Sequence, residues 1–381
     1  MTRRNLHSKY ASGSIFGQGF VVGEFCRTRG AGVMRRKRWG VGGLTGAAVL
    51  LGSIVGGYEP ALAGSDNSTD TYAGDYAGGS FPAGTFFALQ YLGYFRGDPF
   101  IDSAGRTLPN SHANIFEEFT RFAYLGEVWG HKWAIDVEVP SATLTDVNIP
   151  GTNSLVAGGF TDPVVHLTYF IVADAKIQRW LGLTNYFYLP FGRKYDNEKA
   201  VNVSTARQFT DVPQIGYTEG LRNVSPALNG FYFDLIANAS FHTKGNNPVT
   251  VVNPTAAPLP GVLTYDTLVQ GISYDVRAYL RYNPLPTLFF VAVGIEKSWG
   301  GEQIATNGRF AVTGLPIVVP QPNLSLSRDD FFRSHFQFQV PITKEFAIAG
   351  DVFHDFARLG GFREDIGAEV RLTRIFLPGS R

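Results

Sequence analysis

The chain is poor in sulfur, with one cysteine, Cys26, and two methionines, Met1 and Met34, all near its N-terminus. A single thiol cannot form a disulfide framework, so no cross-link stabilises this fold. If the first 63 residues are removed, no thiol remains, which suits the oxidising periplasm and outer membrane of a bacterium. We therefore expect an exported protein that needs no cysteine.

The sequence beyond residue 63 also lacks a long apolar run. A membrane-spanning helix needs about 20 apolar residues in succession. Unpaired backbone groups in hydrocarbon cost several kcal/mol each, so a chain without such helices crosses a membrane only as a closed barrel.

The N-terminus has the three parts of a secretory signal peptide. Arg35, Arg36, Lys37 and Arg38 form the charged region, 41–55 is small and apolar, and Ala61-Leu62-Ala63 is a small-x-small cleavage site. We predict cleavage after Ala63, and the charges directly after Met34 indicate that translation could start there. The alternative interpretation of 41–55, a membrane anchor, is disfavoured by its short, Gly-rich composition. No cysteine stands at the cleavage site, which argues against a lipid anchor.

Charge argues against a nucleic-acid partner. The full chain has 33 basic and 32 acidic residues; without the 9 basic and 2 acidic residues of 1–63, it has 24 and 30, a net charge of −6.

We expect the leader to be followed by a polar, loose periplasmic segment at 64–83, a barrel at 84–376 and a short tail at 377–381.

The stretch 270–283, QGISYDVRAYLRYN, alternates between two kinds of side chain. Tyr274, Val276 and Leu280 would lie on one face of a strand, whereas Asp275 and Arg277 would lie on the other. The same pattern recurs at 132–140, 231–242 and 331–341. Strands of nine to twelve residues are long for a soluble sandwich and typical of tilted strands that cross a bilayer.

We predict an all-β fold, a closed antiparallel transmembrane barrel of about twelve strands. The strands are expected near 85–96, 112–126, 131–140, 163–174, 180–190, 207–218, 230–242, 270–283, 286–299, 330–341, 346–357 and 364–376. Their connections alternate between long and short, as extracellular loops and periplasmic turns do. An even strand number then places both chain ends in the periplasm. Strand number, this alternation and the signal peptide together disfavour a soluble lipocalin-like barrel.

Two further features concern the loops and the membrane interface. The loops Gly245–Pro260 and Pro316–Pro322 are interpreted as plain surface loops, with a cap or gate as the alternative. Trp129, Trp133, Trp180 and Trp299 lie near predicted strand ends, where interfacial girdle residues belong.

The alternation also predicts which polar residues face the lumen. They could select solutes in a polar channel, or they could pair across neighbouring strands and fill the barrel. The predicted set is Lys132, Asp136, Glu138, His166, Asp234, Asn238, His242, Asp275, Arg277, Arg281, Arg333, His335, Glu369 and Arg371.

Catalytic and metal chemistry have little support in the sequence. Ser240 and His242 share a strand face, as a hydroxyl and its base would in a lipase, but no orienting third group is visible. His166 and His335 stand alone, without ligand spacing, so hydrogen bonding in the lumen is preferred to metal binding. We expect no catalytic residues, no metal and no cofactor.

Several segments together resemble a family of outer-membrane proteins named for phenol-degradation meta-pathway genes (MetA-type), often described as transporters. The segments are 81–91, 158–170, 180–221 and 300–308, and the most specific residues are Pro190, Gly192, Tyr195, Asp196, Asn202, Arg207 and Pro213-Gln214-Ile215-Gly216. The resemblance implies a barrel that passes small hydrophobic or aromatic compounds.

We therefore expect a passive channel in the outer membrane of a Gram-negative bacterium. Its partners would be outer-membrane lipid and lipopolysaccharide, the barrel-assembly machinery and a small hydrophobic or aromatic solute. A barrel enzyme acting on lipids or esters, and a structural barrel without transport, are the alternatives.

Overall fold

A computed structural model describes residues 70–101, 105–148, 156–193, 201–202, 208–245, 249–253, 261–284, 289–312, 316, 318–325 and 330–379. The predicted leader with its cleavage site, and Tyr195, Asp196 and Arg207 of the family resemblance, lie outside the described residues.

Twelve long strands form the wall of the molecule, and each overlaps one predicted strand. They are β1 (Phe86–Ile101), β2 (His112–Val128), β3 (His131–Asn148), β4 (Val164–Asp174), β5 (Arg179–Tyr188), β6 (Thr210–Gly220), β7 (Phe231–His242), β8 (Ser273–Tyr282), β9 (Phe290–Gly300), β10 (Asp330–Pro341), β11 (Phe346–Leu359) and β12 (Gly361–Phe376).

The strands close into a barrel because β1 pairs on both of its edges. Phe86 lies opposite Tyr124 of β2 on one side and opposite Phe376 of β12 on the other. Every other strand pairs antiparallel with its neighbours in the chain. The predicted fold, a closed antiparallel barrel of about twelve strands, is confirmed.

Some strands run further than predicted. β3 was expected to end at Pro140, but it continues to Asn148 and pairs with β2 along that length. This extension, SATLTDVN, has polar residues on both faces, so hydrophobic alternation does not reveal it.

The two faces of the wall differ as the alternation predicted. On β8, Tyr274 and Leu280 are exposed on the outside, whereas Asp275 and Arg277 are buried inside. Val293 and Ile295 of β9 are likewise more than half exposed. An apolar outer surface with buried charges within is the pattern of a transmembrane barrel and the reverse of a lipocalin. None of the helices in the described part of the chain is long and apolar enough to cross a membrane.

The two ends of the barrel differ in their connections. At one end, here the short-turn end, β2 and β3 are joined through 129–130, β4 and β5 through 175–178, and β10 and β11 through 342–345. At the other, here the loop end, parts of two long connections form a separate five-stranded sheet. Its strands are Val249–Asn253, Gly261–Gln270, Gln303–Val312, Val318–Gln321 and Leu324–Ser325.

This second sheet corrects the interpretation of these connections as plain loops. It continues the β8–β9 hairpin past a joint at Gly300 and Gly301, whose φ angles are 94° and 68°. Both values lie in the left-handed region that favours glycine. The Gly301 amide donates to the Ile272 carbonyl at 3.0 Å, and the Gly271 amide donates to the Glu302 carbonyl at 2.9 Å. The backbone hydrogen bonds between the two strands therefore continue through the joint.

The tryptophans are only partly girdle residues. Trp129 is 94% exposed in its turn, and Trp299 faces outward, where its ring stacks on Tyr274 with centroids 5.5 Å apart. Trp180 was predicted to lie in the same girdle, and this is wrong. It faces inward and belongs to a buried cluster with Tyr76 and Phe170, because its place in the alternation of β5 directs it to the lumen.

Candidate functional site

The residues that precede β1 lie inside the barrel. Residues 70–81, here called the inserted segment, contain Thr71, Tyr72, Ala73 and Tyr76, all of which are buried. The Ala73 amide donates to Gln337 Oε1 of β10 at 2.8 Å. The expectation of a loose lead-in is therefore wrong for these residues, since their polar groups find partners among the inward side chains of the wall.

Tyr76 is the central side chain of the inserted segment. It stands in a short 3-10 turn, Asp75–Ser80. Its hydroxyl forms a hydrogen bond of 2.8 Å with Thr184 Oγ1 and accepts another of 2.9 Å from Gln214 Nε2. Its ring occupies space that two glycines leave open: a Cβ atom would lie 2.7 Å from the ring at Gly182 and 1.8 Å from it at Gly216.

Charged and polar contacts hold the rest of the segment. The Arg371 guanidinium lies 2.9 Å from both carboxylate oxygens of Asp75. Tyr72 donates from its hydroxyl to Glu369 at 2.8 Å. At the short-turn end, Lys132 Nζ donates to the Gly79 carbonyl at 2.7 Å. The segment is thus anchored on β3 and β12 as well as on β10.

A belt of paired charges crosses the wall beside the segment. Arg277 Nε lies 2.9 Å from Asp275 Oδ1 and 3.0 Å from Glu296 Oε1. The His335 ring contacts Glu296 at 3.0 Å through Nε2 and Asp351 at 2.9 Å through Nδ1. All five side chains are buried, and each pair joins neighbouring strands or residues of one strand face.

Two further arginines extend this belt. Arg333 donates to Asp355 and to Glu364, in both cases at 2.7 Å. Arg281 Nε donates to Asp234 at 2.9 Å. Buried charges that are paired in this way fill and specify the interior of a barrel, as the second interpretation of the inward polar residues proposes.

The structure places all fourteen predicted lumen residues on the inward side. Eleven of them are buried, namely Asp136, Glu138, His166, Asp234, Asn238, Asp275, Arg277, Arg281, Arg333, His335 and Arg371. Lys132, His242 and Glu369 are partly exposed and contact the inserted segment or a neighbouring strand. A role of these residues in selecting solutes stays a prediction.

Other charged residues on the inner face were not predicted from the sequence. Arg121, Glu296, Asp351 and Asp355 follow the same alternation on their strands and could have been found by it. Glu364 could not, because a β-bulge between Glu364 and Ile366 reverses the alternation of β12. Asp70 and Asp75 could not, because the inserted segment has no strand periodicity.

A cavity of about 1030 Å³ lies around the inserted segment and reaches the residues of the turn 342–344. It is therefore placed at the short-turn end, and we call it the short-turn cavity. Most of its wall is apolar or aromatic, and such side chains include Phe81, Phe87, Phe170, Trp180, Tyr232, Phe290 and Ile375. Arg281 and Arg371 also contribute to its lining.

A second apolar group faces inward nearer the loop end. Phe95, Ile115, Leu144 and Phe353 belong to one buried cluster contributed by β1, β2, β3 and β11. The rings of Phe95 and Phe353 are 5.4 Å apart. The inner wall thus has apolar patches on both sides of the charged belt.

The Ser240 and His242 pair does not form a hydrolytic site. His242 Nδ1 forms a hydrogen bond of 2.9 Å with the hydroxyl of Thr210, and its Nε2 has no hydrogen-bond partner among the described residues. Within the described part of the chain, no carboxylate orients this imidazole, as a hydrolytic triad requires.

Comparison with known proteins identifies the architecture. No known protein family and no curated protein matches the sequence. Among solved structures, an outer membrane channel from Pseudomonas putida F1 is similar with a TM-score of 0.61 and 16% identity, over 81% of this chain and 100% of that one. The fold is that of an outer-membrane barrel.

More distant structures include the Pseudomonas putida toluene transporter TodX, with a TM-score of 0.39 and 12% identity over 78% of this chain and 92% of that one. The NanC porin has a TM-score of 0.36 and 11% identity over 76% of this chain and 98% of that one. Such values establish no closer relation, and the resemblance to the phenol-degradation family stays a prediction.

Proposed function

We propose that the protein is a channel in the outer membrane of a Gram-negative bacterium and passes small hydrophobic molecules, aromatic ones among them, toward the periplasm. The short-turn end would face the periplasm, as short turns do in barrels of this kind. The structurally similar protein from Pseudomonas putida F1 is itself an outer membrane channel, which agrees with this proposal.

The observation that carries the proposal is the short-turn cavity. Pockets for small molecules are typically about 300–1,000 Å³ and mostly apolar, with a few polar groups that orient the ligand. The cavity of about 1030 Å³, lined by Phe87, Trp180 and Phe290 and also by Arg281 and Arg371, matches that description. A phenol-sized molecule would find aromatic faces for its ring and guanidinium groups for its oxygen.

The interior suits a hydrophilic sieve less well. The inserted segment and the paired charges occupy the middle of the lumen, where a general porin keeps a water-filled passage. Most of the belt charges already have partners within about 3 Å, so few are left to attract ions.

Two other functions receive less support. A lipid-acting barrel enzyme needs a histidine base that a carboxylate orients, and His242 has no such carboxylate among the described residues. A purely structural barrel does not require an aromatic cavity at one end.

Trp180 allows a direct test of ligand binding, because it lines the cavity whereas Trp299 faces the lipid. Two variants purified from outer membranes would each keep one tryptophan of residues 64–381, either Trp180 or Trp299, with the others changed to Phe. Titration with 4-nitrotoluene, a fluorescence quencher, should give saturable quenching of Trp180. Trp299 is the control for partition into detergent or lipid, and its quenching should rise linearly.

Linear quenching of both tryptophans would contradict binding in the cavity. Passage itself is measured by single-channel conductance in a planar bilayer with and without phenol or toluate. We expect a small conductance that the aromatic compound blocks. Folded protein that shows neither a block nor uptake of an aromatic compound into proteoliposomes would refute the channel.

A further inference from the structure

Asp70 of the inserted segment, Glu138 of β3 and His166 of β4 meet at one point in the lumen. One donor atom from each residue can be chosen so that all three lie within 4.8 Å of one another. His166 Nε2 and Glu138 Oε2 are 3.4 Å apart, which is about the edge of a tetrahedron with metal–ligand bonds of about 2.0–2.1 Å. Two carboxylates and an imidazole are a common donor set for divalent transition metals.

The donor atoms of this cluster lack hydrogen-bond partners. The side chain of His166 is 0% exposed, yet neither ring nitrogen has a hydrogen-bond partner in the part of the chain that the structure describes. The same holds for Asp70 Oδ1 and Glu138 Oε1. A buried polar atom without a partner costs about 1–3 kcal/mol. Each of the three residues thus contributes at least one such atom, which indicates a missing ligand.

His335 shows how this barrel otherwise treats a buried histidine. Both of its ring nitrogens contact carboxylates, at 2.9 Å and 3.0 Å. Among the described residues, His166 has the longer approach to Glu138, 3.4 Å, and a Tyr186 ring whose centroid lies 4.0 Å from its own. His335 is thus held by hydrogen bonds, whereas the ring nitrogens of His166 are available to bind a ligand.

The charges around the cluster point to the same kind of ligand. Arg121 contacts Asp70 and lies 3.1 Å from Asp136 and 3.9 Å from Glu138. One guanidinium therefore faces three buried carboxylates, which leaves a net charge of −2 in this group. A divalent cation would bring that charge to zero, and uncompensated buried charge costs several kcal/mol.

We infer that Asp70, Glu138 and His166 bind one divalent transition-metal ion, with Zn²⁺ well matched to the donor set. Arg121 and Tyr91 hold the other oxygen of Asp70, so that Oδ1 remains for the ion. The ion would join the inserted segment to two strands of the wall. The site does not depend on which solute the channel passes.

Zn²⁺ titration of the full barrel tests the site. Protein purified from outer membranes and freed of metal with a chelator should bind one Zn²⁺ per chain by calorimetry and elemental analysis. His166→Gln and Glu138→Gln should each weaken that affinity at least about tenfold, because even residues that only hydrogen-bond to a metal ligand change affinity 10–100-fold. His242→Gln changes a lumen histidine that has no carboxylate partner in the described structure, and it should bind Zn²⁺ like the wild type.

A second readout separates lost binding from lost folding. Zn²⁺ should raise the unfolding temperature of the wild type and of His242→Gln, and leave His166→Gln unchanged while that variant still migrates as a folded barrel. Wild-type protein that takes up no stoichiometric Zn²⁺ would overturn the inference and indicate that protons balance the carboxylates. Equal affinity in His166→Gln and the wild type would overturn it as well.

Discussion

Gly216→Val should displace the turn that carries Tyr76 while leaving the barrel wall intact. Gly216 lies on β6 with its Cα opposite Gly182 on one side and Ile236 on the other. An added Cβ would lie 1.8 Å from Tyr76 Cε2, whereas carbon atoms in contact stay about 3.5–4.0 Å apart. The ring has to move by roughly 2 Å. Valine itself is favoured in strands, so β6 should form normally.

The energy of this displacement follows from the contacts that Tyr76 makes. A shift of about 2 Å breaks its hydrogen bonds with Thr184 and Gln214, now 2.8 Å and 2.9 Å. Each is worth about 1 kcal/mol, and the ring also leaves a packed site. Gly216→Val therefore destabilises the docked turn by on the order of 2–4 kcal/mol relative to the displaced turn. Their equilibrium shifts toward the displaced turn by roughly thirty-fold to several hundred-fold.

A thiol reporter makes this displacement measurable. Cys26 lies in the predicted leader, and residues 64–381 contain no other cysteine. Gly78→Cys places a thiol in the turn, at a position where an added Cβ meets no atom within 4 Å. In that background, Gly216→Val should increase both the rate of maleimide labelling and the single-channel conductance.

Ile215→Val is the matched control, because Ile215 lies on the same strand and faces the lipid with 45% exposure. Unchanged labelling and conductance in a folded Gly216→Val barrel would refute the argument that Tyr76 depends on this glycine.

Three other substitutions test the barrel wall and the loop-end sheet, each measured by urea unfolding in lipid vesicles. Arg333→Ala leaves the buried carboxylates of Asp355 and Glu364 without their main cation, and it should cost about 3–5 kcal/mol. Arg309→Ala removes an exposed ion pair of the loop-end sheet and should cost less than about 1 kcal/mol. Phe336→Arg puts a charge on the outer face and should cost about 2–4 kcal/mol near mid-membrane. Equal losses for the two arginine variants would contradict the assigned burial.

The wall of this protein could be predicted from sequence because a strand imposes a period of two on its side chains. Tyr274 outside and Asp275 inside follow from that period alone. Twelve repetitions, separated by turn residues and alternating connection lengths, then predict a closed barrel. The second sheet was missed because its strands lie in stretches where polar and apolar residues mix on both faces.

The inserted segment could not be predicted in the same way. Its contacts are between residues far apart in the chain: Tyr76 and Gln214 are separated by 138 positions. A stretch rich in Gly, Asp and Tyr looks like an exposed lead-in when only its neighbours in sequence are considered. The space for Tyr76 exists because Gly182 and Gly216 stand side by side on β5 and β6, and sequence shows this only after the register is known.

Alternation also predicts the side on which a charge lies, but not its partner. Arg277 is bound to Glu296 because β8 and β9 are neighbours in register, and His335 reaches the same carboxylate from β10. The predicted list therefore contained Arg277, Arg333 and His335 without Glu296, the carboxylate that all three contact. Trp180 was assigned to the girdle for a related reason, since proximity to a strand end was given more weight than parity.

The polar belt is compatible with the apolar solute that we propose, because the lumen is divided along its length. Charges such as those of Arg277 and Glu296 hold neighbouring strands together, and they are satisfied within the wall. The apolar patches lie on either side of this belt, around Phe353 at one end and Phe290 at the other. In the proposed channel, a hydrophobic molecule that moves between them would have to pass the inserted segment. That segment is held in the described structure by hydrogen bonds, by the ion pair of Asp75 with Arg371 and by the packing of Tyr76, so its displacement is the step that should limit the proposed passage.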